Sequence, residues 1–306
     1  MFDRRALLAA GAAMLALPGC ARRPKLTIGY QNNGLLLIAK QRGDLDRVAG
    51  VTWQPFASGP PLLEAMGVGG VDFGGAGDTP PVIAQSQGAA IVYVAAQPVT
   101  GAAAAILAPR GSALRTPGDL RGKRVAWLRG SSAQQFVMAT LAAAGLGLGD
   151  VEAINLAPGD AAAAFAGGSL DAWAVWDPWF ATAEVAQGAR VLVGGAPLAA
   201  SLSFLLANRA VAEARPDDLR AVLDALKATA AWAAANRRDL AALIATAAGL
   251  DTAVAARIAA RQDLALVPLS APLVKREQAL ADTLLAQGAI PARVDVAAAV
   301  WNGWRG

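Results

Sequence analysis

The chain of 306 residues contains no histidine and a single cysteine, Cys20. The first absence removes the commonest general acid–base, the Ser-His-Asp and Cys-His nucleophile pairs, and nearly every zinc site. The second removes any internal disulfide, because a solitary thiol has no partner. Charge is also sparse: Asp, Glu, Lys and Arg make up 16% of the residues and leave a net +4. That excess is scattered, with no Lys/Arg stripe and no basic tail, which argues against nucleic acid as a partner. The hydrophobic content of 55% owes much to alanine. After residue 21 there is no run of ~18 strongly apolar residues of the kind a membrane-crossing helix needs. An enzyme would have to work with carboxylates or a cofactor. A binding protein needs none of the missing groups.

What is present begins with a leader. Arg4 and Arg5 precede an apolar stretch over 6–17, followed by Leu17-Pro18-Gly19-Cys20. This is the layout of an export signal, too short to span a bilayer. It resembles a bacterial lipoprotein signal, in which Cys20 becomes the lipidated first residue, although Pro18 departs from the usual small or β-branched residue. Conventional cleavage nearby and a twin-arginine route through Arg4-Arg5 both stay open. Either way the mature chain is expected to work outside the cytoplasm.

From Leu26 onward short apolar strands alternate with helical segments. Strands are expected over 26–30, 51–56, 71–75 and 91–95, and again over 124–128, 151–156 and 172–176. This pattern predicts an α/β fold with mostly parallel sheets covered on both faces. After 203–207 no strong strand signal remains; Leu219, Val222, Leu223, Leu226 and Ala230 share one helical face. The late helices must therefore pack on a sheet made earlier. The expected division is the leader over 1–20, one lobe from 26–108 together with 206–306, and a second lobe over 109–205. Two chain crossings between lobes imply a cleft that can close.

Four strand-to-helix junctions carry the polar chemistry. The stretch 169–184 reads as a strand ending at Trp176, a stop at Asp177-Pro178, and a helix from Trp179. Asp177 is expected as its N-cap and Pro178 at its first position. Gly29-Tyr30-Gln31-Asn32-Asn33-Gly34 offers neutral amide donors and acceptors. In Gly74-Gly75-Ala76-Gly77-Asp78-Thr79 the glycines allow close backbone approach. In Leu128-Arg129-Gly130-Ser131-Ser132-Ala133 a serine at a helix start provides an anion seat. Asp78, Ser131 and Asp177 can equally serve as plain helix caps. No G-x-G-x-x-G or G-x-x-x-x-G-K-[ST] stands between a strand and a helix, and the sequence calls for no cofactor or metal. What the junctions supply together is fixed neutral donors beside indole faces, which suits a sulfonate or similar oxyanion with a short aliphatic tail.

Three groups of residues then match a known family. They are Asp72-Phe73-Gly74 with Gly77-Asp78-Thr79-Pro80-Pro81; Leu120-Arg121-Gly122-Lys123-Arg124-Val125-Ala126 with Gly130-Ser131-Ser132-Ala133; and Gly168-Ser169-Leu170-Asp171-Ala172-Trp173 with Trp176-Asp177-Pro178. From about Leu26 to Trp301 the chain resembles the extracytoplasmic substrate-binding proteins of aliphatic-sulfonate ABC importers, with their nitrate, taurine and thiamine-precursor relatives. The resemblance implies a two-lobed type II periplasmic-binding-protein fold, a monomer that clamps its ligand between lobes, and a membrane permease with its ATPase as partner. It implies that Gln31, Gly77, Asp78, Ser131, Ser132, Trp176 and Asp177 lie at the cleft, with Ser203 a further pocket position. Asn32, Thr79 and Gly130 complete the candidate ligand-binding set. Asn32-Asn33 and Leu205 depart from the family pattern. A taurine, nitrate or pyrimidine-type ligand remains open, as does an enzyme built on the same fold.

Overall fold

The computed structural model describes residues 25–46, 48, 50–195 and 202–306; the expected leader, with Cys20, lies outside the described residues. The first run of elements is β1 (Leu26–Gln31), α1 (Gly34–Arg42), β2 (Val51–Phe56), α2 (Gly59–Gly67), β3 (Phe73–Gly77), α3 (Thr79–Ser86) and β4 (Ile91–Pro98). The second is β5 (Ala104–Ala108), β6 (Arg124–Trp127), α4 (Ser132–Ala143), β7 (Glu152–Asn155), α5 (Pro158–Ala166), β8 (Ala172–Trp176), α6 (Trp179–Gln187) and β9 (Arg190–Gly194). The return comprises β10 (Leu202–Asn208), α7 (Arg209–Ala214), α8 (Pro216–Ala235), α9 (Arg237–Ala248), α10 (Thr252–Arg261) and α11 (Ala271–Ala286). β4 is buried from Ile91 to Gln97, as a nearly continuous apolar run requires when helices or chain cover both faces. The predicted stripe on α8 is fully internal.

Two five-stranded sheets result, in the orders β2-β1-β3-β10-β4 and β7-β6-β8-β5-β9. β1 is parallel to β2 and β3, and β6 is parallel to β7 and β8. β10 runs antiparallel to β3 and β4; β5 runs antiparallel to β8 and β9. The expected lobe boundaries at 108/109 and 205/206 need correction. Ala104–Ala108 pairs within the second sheet and Leu202–Asn208 within the first, so each exchange falls before its strand and not after it. Apolar runs such as these satisfy either sheet equally, and only the pairing decides. β9 is an edge strand that the pattern did not announce. The last third also touches the first sheet through isolated bridges, Ala96 with Val267 and Tyr93 with Val300.

Alternate residues of β8 serve opposite faces. Ala172 and Ala174 pack with Val137 and Leu141 of α4, while Trp173 and Val175 pack with Phe165 of α5 and Phe180 of α6. The first sheet is covered by α1 and α8 to α10 in one cluster and by α2, α3 and α11 in another.

Inside that second cluster the Tyr93 hydroxyl lies 3.0 Å from Gln85 Oε1 and 3.2 Å from Glu277 Oε1. Glu277 is almost wholly buried. Burial, reinforced by the charge of Asp78, holds its carboxyl well above the usual carboxylate range. A raised folded-state pKa stabilises the fold at low pH, and that contribution is lost as pH rises through the folded value. Glu277→Gln is therefore expected to match the parent at acidic pH, near the ordinary carboxylate range, and to exceed its stability increasingly as pH rises above it, as read by urea denaturation. Parallel pH profiles for the two proteins would contradict the assignment.

Candidate functional site

The parallel strands β1, β2 and β3 end at Gln31, Phe56 and Gly77, and helices α1, α2 and α3 begin just beyond them. In the second sheet β6 and β8 end at Trp127 and Trp176, ahead of α4 and α6. Helix N-termini therefore gather along both edges, each with unpaired N–H groups and a positive dipole end. Cross-sheet contacts show that these two edges face each other. Ser132 Oγ donates to Asp78 Oδ1 at 2.6 Å, and Asn33 Nδ2 donates to the Asp177 carbonyl at 2.8 Å. A Cβ added at Gly77 would stand 2.3 Å from Ser132 Oγ, so a larger residue there must push that hydroxyl aside. Gly130 has φ +76 and sits near Ile83 and Pro60 of the first sheet's helices.

Most of the expected residues meet at this line of contact, in differing roles. Asp78 Oδ1 accepts from the Thr79 N–H at 2.8 Å and the Thr79 hydroxyl at 3.1 Å, besides Ser132. Thr79 thus faces its own cap. Gln31 Nε2 donates to the Gly75 carbonyl at 3.1 Å, tying the end of β1 to β3. Ser131 occupies the N-cap position of α4 and is 3% exposed, but its hydroxyl turns back to the Leu128 carbonyl at 2.7 Å. The Ser131 side chain therefore does not cap the first N–H groups of α4. Gly130 N–H is held by Gln134 Oε1 at 2.7 Å. Ser203 lies opposite Gly77 in the antiparallel register, half-buried on β10. Trp176 is half-buried on the α4 face of β8, whereas Trp173 points to the opposite face and packs against Phe165.

Two residues do not take the expected place. Asn32 is exposed, and its neighbour Asn33 makes the crossing contact. Asp177 lies outside the cap position of α6, which Pro178 occupies after a cis peptide bond. Its carboxylate is 2% exposed and turned from the cleft: Oδ1 accepts from the Ala181 N–H at 2.9 Å, and Oδ2 is 3.7 Å from Arg261 Nε. Its main chain alone faces the junction, with the N–H donating to Ala103 and the carbonyl accepting from Asn33.

Ser58 was missed by the sequence reading. It is 3% exposed at the N-cap of α2, and its hydroxyl caps nothing. A signal existed: Ser58-Gly59-Pro60-Pro61 follows β2 just as Asp78-Thr79-Pro80-Pro81 follows β3. The donors assembled here are neutral, and Arg129, in the turn before α4, is exposed.

Residues 56–239 match the NMT1/THI5-like family. The chain belongs to that family. Within it, the chain is 41% identical to the alkanesulfonate-binding protein SsuA of Xanthomonas axonopodis pv. citri, solved bound to MOPS, with a TM-score of 0.87 over 92% of this chain and 99% of that one. The periplasmic aliphatic sulphonate binding protein SsuA of Escherichia coli superposes with a TM-score of 0.82 at 35% identity, over 90% of this chain and 92% of that one. By sequence, a putative aliphatic sulfonates-binding protein of Escherichia coli K12 is 35% identical over 282 residues, 90% of this chain and 88% of its own. The two-lobed NMT1/THI5-like architecture thus agrees with the fold expected from the motifs.

Burial raises the Asp177 pKa to about 6, against the opposing pull of Arg261. As for Glu277, the associated stability is lost as pH rises through the folded value. Asp177→Asn keeps an acceptor for Ala181 and removes the titration. It is expected to equal the parent near pH 4 and to be more stable by about 1–3 kcal/mol at pH 7, in urea unfolding at both pH values. Gly77→Ala should cost only about 1 kcal/mol of stability, because the Ser132 hydroxyl can rotate aside. It should also abolish the Ser132–Asp78 hydrogen bond, so that Ser132→Ala added to it changes nothing further in a double-mutant cycle.

Proposed function

We propose that this chain captures an aliphatic sulfonate between its two sheets and delivers it to an ABC permease and its ATPase. The observation that carries the reading is the approach of two helix starts left uncapped by their own serines: Gly130, just before Ser131 and α4, lies against Pro60 of α2, which Ser58 precedes. A sulfonate is ionised at every biological pH, and its three oxygens only accept hydrogen bonds. Fixed N–H and O–H donors match it without a lysine or arginine. The Asp78 carboxylate at the same contact opposes a dianion such as phosphate and tolerates a monoanion better. The half-buried face of Trp176 offers apolar cover for an alkyl tail. The relatives matched above carry names of the same kind, which adds support.

Binding is the role proposed, not catalysis. Histidine is absent from the chain, and Ser132 donates to a carboxylate already engaged by Thr79. The same reading places the protein outside the cytoplasm, with residues 1–20 as export signal, Cys20 as lipid attachment point, and a monomer as the working form. A second reading, an aminosulfonate such as taurine, is favoured by one feature only: the carboxylate of Asp78 at the junction, which could pair with a ligand ammonium.

Calorimetric titration with C2–C6 alkanesulfonates and MOPS is expected to show micromolar or tighter binding, and taurine against ethanesulfonate tests the contribution of Asp78. Trp176→Ala should weaken binding by about 1–3 kcal/mol through lost apolar cover. Flat traces across the series, with tight binding of some other solute, would overturn the proposal.

A further inference from the structure

Helix α6 belongs to the second sheet, yet its outer surface is held by α10 from the first. Arg261, at the end of α10, has a side chain only 12% exposed. Its guanidinium lies over the Phe180 ring, 3.8 Å from the centroid, and pairs with Glu184. Its Nε is 3.7 Å from Asp177 Oδ2. One turn earlier on α10, Arg257 reaches Glu184 at 3.4 Å. Ala181, between Phe180 and Glu184 on α6, is buried with the helices that cover the first sheet. Apart from Asp177, which precedes it, these partners lie on one short helix just after Trp176.

The position of this contact matters as much as its strength. The Asp177 N–H donates to the carbonyl of Ala103, the residue just before β5, where the chain crosses from the first sheet to the second. On its cleft side the same corner is tied to the first sheet by Asn33. The Trp176-Asp177 corner is thus held at the crossing, from within the cleft and from behind. Covalent crossings alone leave the sheets free to swing about the line joining them. A further contact on one side of that line limits the swing.

We propose that Arg261 is a positioning residue for ligand capture. With Glu184 and Phe180 it forms a non-covalent joint beside the chain crossings, and it sets how far α6 and the Trp176 wall stand from the first sheet. A planar guanidinium that stacks on a ring while forking toward two carboxylates resists rotation better than a point charge. Removing it leaves the buried Asp177 carboxylate without its nearest counter-charge, beside a Glu184 held only by Arg257, which loosens α6 from α10. The effect on affinity rests on the ligand reading given above; the joint itself is testable without any ligand.

The experiment compares the full mature chain with Arg261→Ala, Arg261→Lys and Glu184→Gln by small-angle scattering without ligand, then by stopped-flow and calorimetric titration with MOPS and butanesulfonate. Arg261→Ala is expected to enlarge the radius of gyration of the free protein. It should weaken binding at least tenfold, mainly through faster dissociation, with the order of preference among sulfonates unchanged. Arg261→Lys should recover part of both effects. A folded Arg261→Ala protein with a lower melting temperature but unchanged scattering and affinity overturns the proposal, since the arginine would then only stabilise. If Arg261→Ala does not fold, Glu184→Gln decides by the same criteria. Should the parent bind no sulfonate, the ligand reading fails, and the scattering comparison still tests the joint.

Discussion

Parallel strands that begin at one edge of a sheet must all end at the other, and the helices that follow them must start there. In this protein two such edges confront each other. Everything polar at the junction follows from that constraint: Gln31, Gly77 and Asp78 on one side and Ser131, Ser132 and Trp176 on the other are residues at the ends of parallel strands or the starts of the next helices. The same geometry explains why the donors of the site are neutral. A row of helix starts already concentrates N–H donors and positive potential, so cationic side chains are not needed to attract an anion.

Apart from Asp78, the buried carboxyls occupy the layers behind the junction. Glu277 stands under α3, buried with Tyr93, and Asp177 stands behind Trp176 against Arg261. Both carboxyls have folded pKa values raised chiefly by burial. They differ in company: Asp177 has an arginine at hand, while Glu277 has a tyrosine hydroxyl and the distant help of Arg276. The stability of each lobe therefore responds to pH through groups that a bound ligand need not touch.

The sequence made the junctions legible because strand ends, caps and glycine turns are local signals. The alternation of strand and helix, the Trp173/Trp176 division of faces and the late helical third could all be read from pattern. What escaped is set by distant segments. Asp177 looks like a ligand-facing cap until Arg261, 84 positions later, is seen to claim its carboxylate. Asn32 and Asn33 are chemically identical, and only the direction of the chain leaving β1 separates an exposed amide from a crossing one. The lobe boundaries shifted for the same reason: the hydrophobic runs of β5 and β10 carry no mark of the sheet they enter. Ser58 is the exception. Its Ser-Gly-Pro-Pro turn is a local signal comparable to Asp-Thr-Pro-Pro after β3.

The strand β10 sits between β3 and β4, in the interior of the first sheet. The five strands of the second sheet come from one unbroken stretch, Ala104 to Gly194, whereas the first sheet needs a strand made only after that stretch is finished. Order of synthesis and order of completion are therefore reversed. The later lobe has all its strands first, and until residues 202–208 arrive the earlier one holds a gap one strand wide, with β4 unable to pair with β3. A chain built this way keeps its first sheet open through most of its own production. The first sheet is complete only once that one strand is in place.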